Sequence, residues 1–178
     1  MPRLFTGLEI PPEIGEALAR LRGGLPGARW VEPVDYHVTL RFLGDVDEGT
    51  ARDFYDALEE ARPRGAIPLV VDGLAAFGGR RPHALFANVA PSPALAELQA
   101  EHESLARRVG LPPETRKFHA HVTLARLRGA SPLAVADHLA GQGPFQPLAF
   151  TARRVVLYSS RASVGGGPYI VEAAYPLG

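Results

Sequence analysis

The chain has 178 residues, with 19 basic and 19 acidic side chains, no cysteine, 19 glycines, 17 prolines and 46% hydrophobic residues. That apolar share is ordinary for a folded globule and excludes disorder as the main state. The lack of cysteine removes a disulfide framework, a thiolate nucleophile and Cys-ligated zinc. A formal charge of zero argues against a positive coat for gripping long duplexes, though a local basic pocket stays open.

No apolar run approaches the ~18 residues of a membrane span, and the first three residues lead into a strand-like stretch rather than a signal peptide. The expectation is a soluble, cytoplasmic chain of one domain, or of two lobes sharing a core. Residues 3–10 (Leu4, Phe5, Leu8, Ile10) read as a strand. Pro11-Pro12 stops it and suits the first turn of a helix through residue 21, with Ile14, Leu18 and Leu21 at helical spacing. Gly23-Gly24 and Pro26-Gly27 end that helix. Residues 29–32 and 36–43 read as strands joined by a turn containing Pro33 and Asp35. Thr50 is expected to cap a second helix through residue 61, with Phe54, Leu58 and Ala61 on one face. Residues 67–77 and 84–89 form a hairpin-like pair around Gly78-Gly79 and Pro82.

Ser92 then opens a long helix to residue 109, closed by Gly110 and Pro112-Pro113. Residues 118–127 read as a strand, Ser131 caps a helix to about residue 140, and 141–147 is a loop. Residues 153–158 and 169–175 are the last two strands, joined by a loop with Gly165-Gly166-Gly167-Pro168. Paired strands with interspersed helices predict an α+β fold of mostly antiparallel sheets.

One internal repeat stands out. His37-Val38-Thr39-Leu40 recurs letter for letter as His121-Val122-Thr123-Leu124, 84 residues later. Each copy is followed by arginine, Arg41 directly and Arg126 after one alanine. In a strand, side chains two positions apart share a face, so His and Thr point one way while Val and Leu anchor the other. A pseudo-two-fold relation between the halves would set the two His-Thr pairs facing each other.

Two histidines in one cleft raise three chemistries. Metal binding needs further ligands, and no carboxylate adjoins either motif at ligand spacing; Asp35 and Asp45 are the nearest acids. A Ser-His-Asp hydrolase would call for a G-x-S-x-G elbow, which is absent. A general base paired with a general acid fits best, because imidazole serves in either form near neutrality. Its natural reaction is in-line displacement at phosphorus. Thr39 and Thr123 would donate to the non-bridging oxygens, and Arg41 and Arg126 would add charge-assisted bonds to phosphate.

These residues resemble the 2H phosphoesterase superfamily, named for two H-x-T/S-x motifs, and within it the RNA 2',3'-cyclic phosphodiesterase (2'-5' RNA ligase) family. The resemblance rests on Arg3-Leu4-Phe5, the basic-aromatic pair Arg29-Trp30, residues 37–44 as HVTLRFLG, residues 121–126 as HVTLAR, and Gly167-Pro168-Tyr169. It implies one bilobal domain over residues 1–178, with two mostly antiparallel sheets flanking a central cleft and helices outside. It also implies hydrolysis of a 2',3'-cyclic phosphate at an RNA end to a 2'-phosphomonoester, with no metal or nucleotide cofactor. Carried over, His37 is the proton donor to the 3'-oxygen and His121 the base that activates water. The motifs themselves are too alike to set that direction.

Other positions are read from context. Phe5, Phe42 and Phe118 could offer a stacking face for a terminal base. His119, two residues before His121, shares its face and belongs at the cleft rim. Tyr158, Ser160 and the glycines at 165–167 would border the pocket, while His83, His102 and His138 are placed on the surface and Arg80-Arg81 in a solvated turn. The expected partner is an RNA with a cyclic phosphate end, tRNA fragments included, bound by a monomer with no membrane contact. The alternatives are a 2'-5' RNA ligase, a phosphodiesterase for small cyclic nucleotides, and a non-catalytic RNA-end binding module.

Overall fold

Strands buried on alternate residues or nearly throughout, with amphipathic helices between them, generate the architecture of the computed structural model, which describes residues 2–160 and 167–178. In chain order the elements are β1 (Arg3–Glu9), α1 (Pro12–Ala19), β2 (Ala28–Trp30), a 3-10 turn at Pro33–Asp35, β3 (His37–Asp45), α2 (Glu48–Glu60), β4 (Ile67–Phe77) and β5 (Ala84–Val89). They continue with α3 (Pro93–Arg108), β6 (His121–Leu127), α4 (Pro132–Gly141), β7 (Leu148–Ala152), β8 (Arg154–Ser160) and β9 (Tyr169–Pro176). The expected glycine loop at Gly165 and Gly166 lies outside the described residues.

Helix starts follow their chemistry. Ser92 and Ser131 accept the N–H groups of Leu95 and Ala134, with proline at the next position of each helix. The cap of α2 is Asp47 rather than Thr50: its carboxylate accepts both the backbone N–H (2.7 Å) and the hydroxyl (3.1 Å) of Thr50. An ionised acceptor at the positive end of a helix outcompetes a hydroxyl three residues further in. Strand β7 occupies Leu148–Ala152, to which the sequence pattern assigns no element. It is a five-residue strand whose place is decided by pairing with β4, from Ile67↔Ala152 to Val71↔Leu148.

The fold is α+β and the strand pairings are antiparallel, in the order β7-β4-β5-β6-β3-β1-β8-β9, with β2 also pairing β6. Backbone pairing passes through both halves without a break, where the resemblance implies two sheets. The halves join where β3 meets β6 at Val38↔Val122, and β2 extends that seam, with Val31 N–H donating to the Leu124 carbonyl (2.8 Å). Gly7 permits the close approach of β1 to β3, since a Cβ there would stand 2.7 Å from the Val38 carbonyl oxygen.

The main core lies on the Val-Leu face of both motifs, where Val38, Leu40, Val122 and Leu124 pack with Leu18 of α1 and Leu95 and Leu98 of α3. Burying each such side chain contributes about 1.5–3 kcal/mol. A second cluster holds α2 and α3 together through Phe54, Leu58 and Leu105.

Arg41 borders the cleft, but its guanidinium is turned to this buried side and is already paired there, unlike the free phosphate donor expected of it. Its guanidinium donates to Glu103 on α3 (Nη2, 3.0 Å) and to the carbonyls of Phe42 (2.6 Å) and Pro112 (2.5 Å), and it is 6% exposed. Burial opposes ionisation of Glu103. The hydrogen bonds from Arg41 and the Glu114 N–H, with the charges of Arg41 and Arg107, outweigh it and hold the carboxyl below its ordinary value. Removing one partner of such a pair strands the other charge. Glu103→Ala should therefore lower the urea-unfolding free energy by about 3 kcal/mol; a loss too small to measure would overturn the structural role given to Arg41.

Candidate active site

The site begins with register. Val38 and Val122 are opposite each other and fully buried, so the residues on either side of them face away from the core. In an antiparallel run this directs His37 toward Thr123 and Thr39 toward His121. All four line one cleft of about 480 Å³.

Strict alternation would next bring Arg41 and Ala125 to the cleft. A bulge after each motif alters this: Ala125 is buried off the cleft, and Arg41 borders the cleft but is only 6% exposed and committed to Glu103. Thr6 pairs Arg41 but Gly7 pairs Thr39, and Leu85 pairs Ala125 but Phe86 pairs Thr123, leaving Leu40 and Leu124 as extra residues. The fifth residue after each histidine therefore turns to the cleft: Phe42 on β3 and Arg126 on β6, both lining it and both exposed.

Each imidazole is fixed by the carbonyl two residues before it. His37 Nδ1–H donates to the Asp35 carbonyl (2.9 Å), and His121 Nδ1–H donates to the His119 carbonyl (2.6 Å). A carbonyl only accepts, so in both neutral rings Nε2 carries the lone pair. The Thr39 hydroxyl donates to His37 Nε2 (3.0 Å); among the described residues no hydrogen bond occupies His121 Nε2. The His37 ring is walled by Phe5, Tyr158 and Tyr169, with ring centroids at 4.8, 5.5 and 5.1 Å. His121 rests against Phe77 at 4.9 Å and Phe86 at 5.3 Å.

Burial lowers the basicity of both rings. For His37 it pushes the pKa down to about 4, the Asp35 carbonyl opposing and the charges of His121 and Arg126 adding to the fall. His121 is lowered by burial too, opposed by the His119 carbonyl and reinforced by the charges of His119 and Arg126. Arg126 lines the same cleft, and its charge lowers the basicity of both rings. Among the described residues no carboxylate pairs with it.

The aromatic candidates separate. Phe42, 38% exposed, and half-buried Phe118 line the cleft. Phe5 is 3% exposed and packed on His37 and on Tyr158 (5.0 Å), so its face is closed to a base, correcting that expectation. His119 lies on the cleft wall and donates through Nε2–H to Asn88 Oδ1 (2.7 Å); Asn88 in turn donates to Asp72 (2.7 Å). His83 lines the cleft, His138 packs on Trp30 at 5.8 Å, and Tyr158 is buried.

Sequence reasoning missed Asp35 and Tyr169. Asp35 receives the His37 Nδ1–H on its carbonyl and the Tyr169 N–H on Oδ1 (3.2 Å). Gly167, at φ +85°, lies where a Cβ would collide with the Asp35 carboxylate. The shared i−2 position of Asp35 and His119 was the available signal. Among the described residues no three His, Cys, Asp or Glu side chains converge as metal ligands, and no helix is long and apolar enough to cross a membrane.

The model of the LigT-like phosphoesterase family matches residues 8–86 and again residues 87–169. The chain belongs to this family. It is 30% identical over 190 residues to the RNA 2',3'-cyclic phosphodiesterase of Geobacillus stearothermophilus, covering 97% of this chain but only 56% of that protein. A protein of the same name from Aeropyrum pernix is 38% identical over 121 residues, 64% of this chain and 67% of its own. Escherichia coli LigT crystallised with 3'-AMP superposes with a TM-score of 0.79 at 25% identity, over 99% of each chain.

One titratable group sits apart from the cleft. His102, expected on the surface, is 2% exposed inside α3, with Nδ1 2.7 Å from the Thr6 hydroxyl. The apolar positions around it on α3 carry it into the core. Burial, with the Arg64 charge adding, pushes its pKa down to about 4. The unfolded chain then binds more protons than the folded one between pH 6.5 and about 4. Stability is full above about pH 6.5 and should fall as pH drops toward 4, by on the order of 3 kcal/mol for such a group. Urea unfolding at pH 7 and pH 4.5 checks this; equal stability at both would contradict a neutral buried His102.

Proposed function

We propose that this phosphoesterase hydrolyses the 2',3'-cyclic phosphate at RNA ends to a 2'-phosphomonoester through its paired imidazoles. The observation that carries the reading is the pair of His-Thr motifs opening into one cleft, each ring aimed by a carbonyl at its Nδ1. The names of the Geobacillus and Aeropyrum relatives support the substrate class.

In this reading His121 Nε2 takes a proton from water as its oxygen attacks phosphorus. The P–O3' bond breaks, and His37 Nε2–H delivers its proton to the departing 3'-oxygen, leaving a 3'-hydroxyl and a 2'-phosphate. His121 Nε2, which has no hydrogen bond among the described residues, suits the base. Protonation of His37 ends the acceptor role of its Nε2 and frees the Thr39 hydroxyl to donate to a non-bridging oxygen. Thr123 and Arg126 supply the other donors as negative charge builds. No metal or cofactor enters these steps.

The same reading takes residues 1–178 as one bilobal domain acting as a cytoplasmic monomer, its halves related by a pseudo-two-fold axis. The strand order, with β6-β5-β4-β7 answering β3-β1-β8-β9, and the double match of the family model support the internal relation.

Incubation with an oligonucleotide ending in a 2',3'-cyclic phosphate, with chelator present, should give a 2'-phosphate end. A joined product would favour ligation, and retained but unchanged RNA a binding module. His37→Ala and His121→Ala should each cut turnover by about 10²–10⁴-fold with unfolding midpoints preserved. Thr39→Val and Thr123→Val should cost about 10–1,000-fold. Near-normal turnover in either histidine variant would sink the mechanism.

Both imidazoles are less basic than usual in the free protein. The kcat/KM profile should therefore be bell-shaped with both limbs below about pH 6.5. The alkaline limb of kcat should lie at higher pH, because bound phosphate favours the imidazolium. Coincident limbs would show that substrate charge does not tune His37.

A further inference from the structure

Arg29 of β2 sits directly opposite Arg126 of β6 in the antiparallel register Arg29↔Arg126. Directly opposed residues share a face, with Cα atoms about 4.5–5.5 Å apart, so Arg29 points to the same side as the cleft residue Arg126. Its neighbours Ala28 and Trp30 go the other way, into the core, and Arg29 is exposed. Two like charges opposed across a ladder destabilise it. Among the described residues no carboxylate relieves either one; Glu32, three positions on, pairs with Arg22 (3.7 Å). Arg126 perturbs both imidazoles, whereas Arg29 perturbs neither and lies outside the cleft wall. The two guanidiniums therefore form a track leading away from the reacting phosphorus.

We propose that Arg29 binds the phosphodiester on the 5' side of the terminal nucleotide, making the protein a polynucleotide-end enzyme rather than one for free cyclic nucleotides. This rests on the phosphodiesterase reading above. With Arg126 on the reacting phosphate, Arg29 is left to take the next phosphate along the chain, and the two anions together neutralise the opposed pair. The other basic segment at the cleft, Arg116-Lys117, is on the loop before β6, and there Arg116 already has Glu114 at 3.5 Å.

The test compares kcat/KM for a short oligoribonucleotide ending in a 2',3'-cyclic phosphate with that for a nucleoside 2',3'-cyclic monophosphate, in wild type, Arg29→Ala, Arg29→Lys and Lys117→Ala. Arg29→Ala should lose about tenfold on the oligonucleotide, through KM, and less than twofold on the mononucleotide. Its dependence of log(kcat/KM) on log salt for the oligonucleotide should flatten by about 0.7, with Arg29→Lys restoring most of the slope. Equal losses on both substrates, no loss on either, or an oligonucleotide-selective loss only in Lys117→Ala would overturn the Arg29 subsite. A wild type that opens neither substrate would overturn the phosphodiesterase reading, and the subsite with it.

Discussion

The antiparallel meeting of β3 and β6 at Val38 and Val122 decides where the two His-Thr pairs of the candidate site stand. Both valines are fully buried, and the leucines two residues on sink into the same core. That apolar burial turns the two His-Thr pairs outward together. A slip of one residue in either strand would expose the valines and bury the imidazoles, so the energy that holds the register is the energy of the core itself. The geometry of the candidate site and the fold are here the same constraint.

The bulges after Leu40 and Leu124 then give identical tetrapeptides different surroundings. Beyond the bulge the cleft receives the fifth residue after each histidine, phenylalanine on one wall and arginine on the other. The fourth residue turns under the sheet, where Arg41 ties β3 to α3 and to the loop at Pro112. The fifth residue after each histidine is thus aromatic on one strand and cationic on the other, although both strands start from HVTL.

Much of this was legible in the sequence, because the strands and capped helices obey local rules. The β4–β5 hairpin and the serine caps of α3 and α4 follow from turn residues and side-chain acceptors next to apolar periodicity. The duplicated motif located the cleft. What escaped depends on pairing between distant segments. Strand β7 exists because β4 offers it an edge, and the bulge that exchanges Arg41 for Phe42 is visible only in the register with β1. His102 looks like a surface residue until α3 is docked on the sheet and Thr6 comes within reach. Asp35 earns its place through Tyr169, 134 positions away.

The electrostatics of the cleft bear on how its chemistry would start. Burial and the Arg126 charge both favour neutral imidazole, so the free cleft presents a cation beside two uncharged bases. A general acid must nonetheless carry a proton when the leaving oxygen departs. In the proposed mechanism an anionic phosphate in the cleft would offset the Arg126 charge and favour protonation of His37, whose Nδ1 carbonyl contact already favours the charged form. Substrate charge would then bring the acid into its working state, and the threonine hydroxyl released by that protonation would turn to the phosphate that caused it.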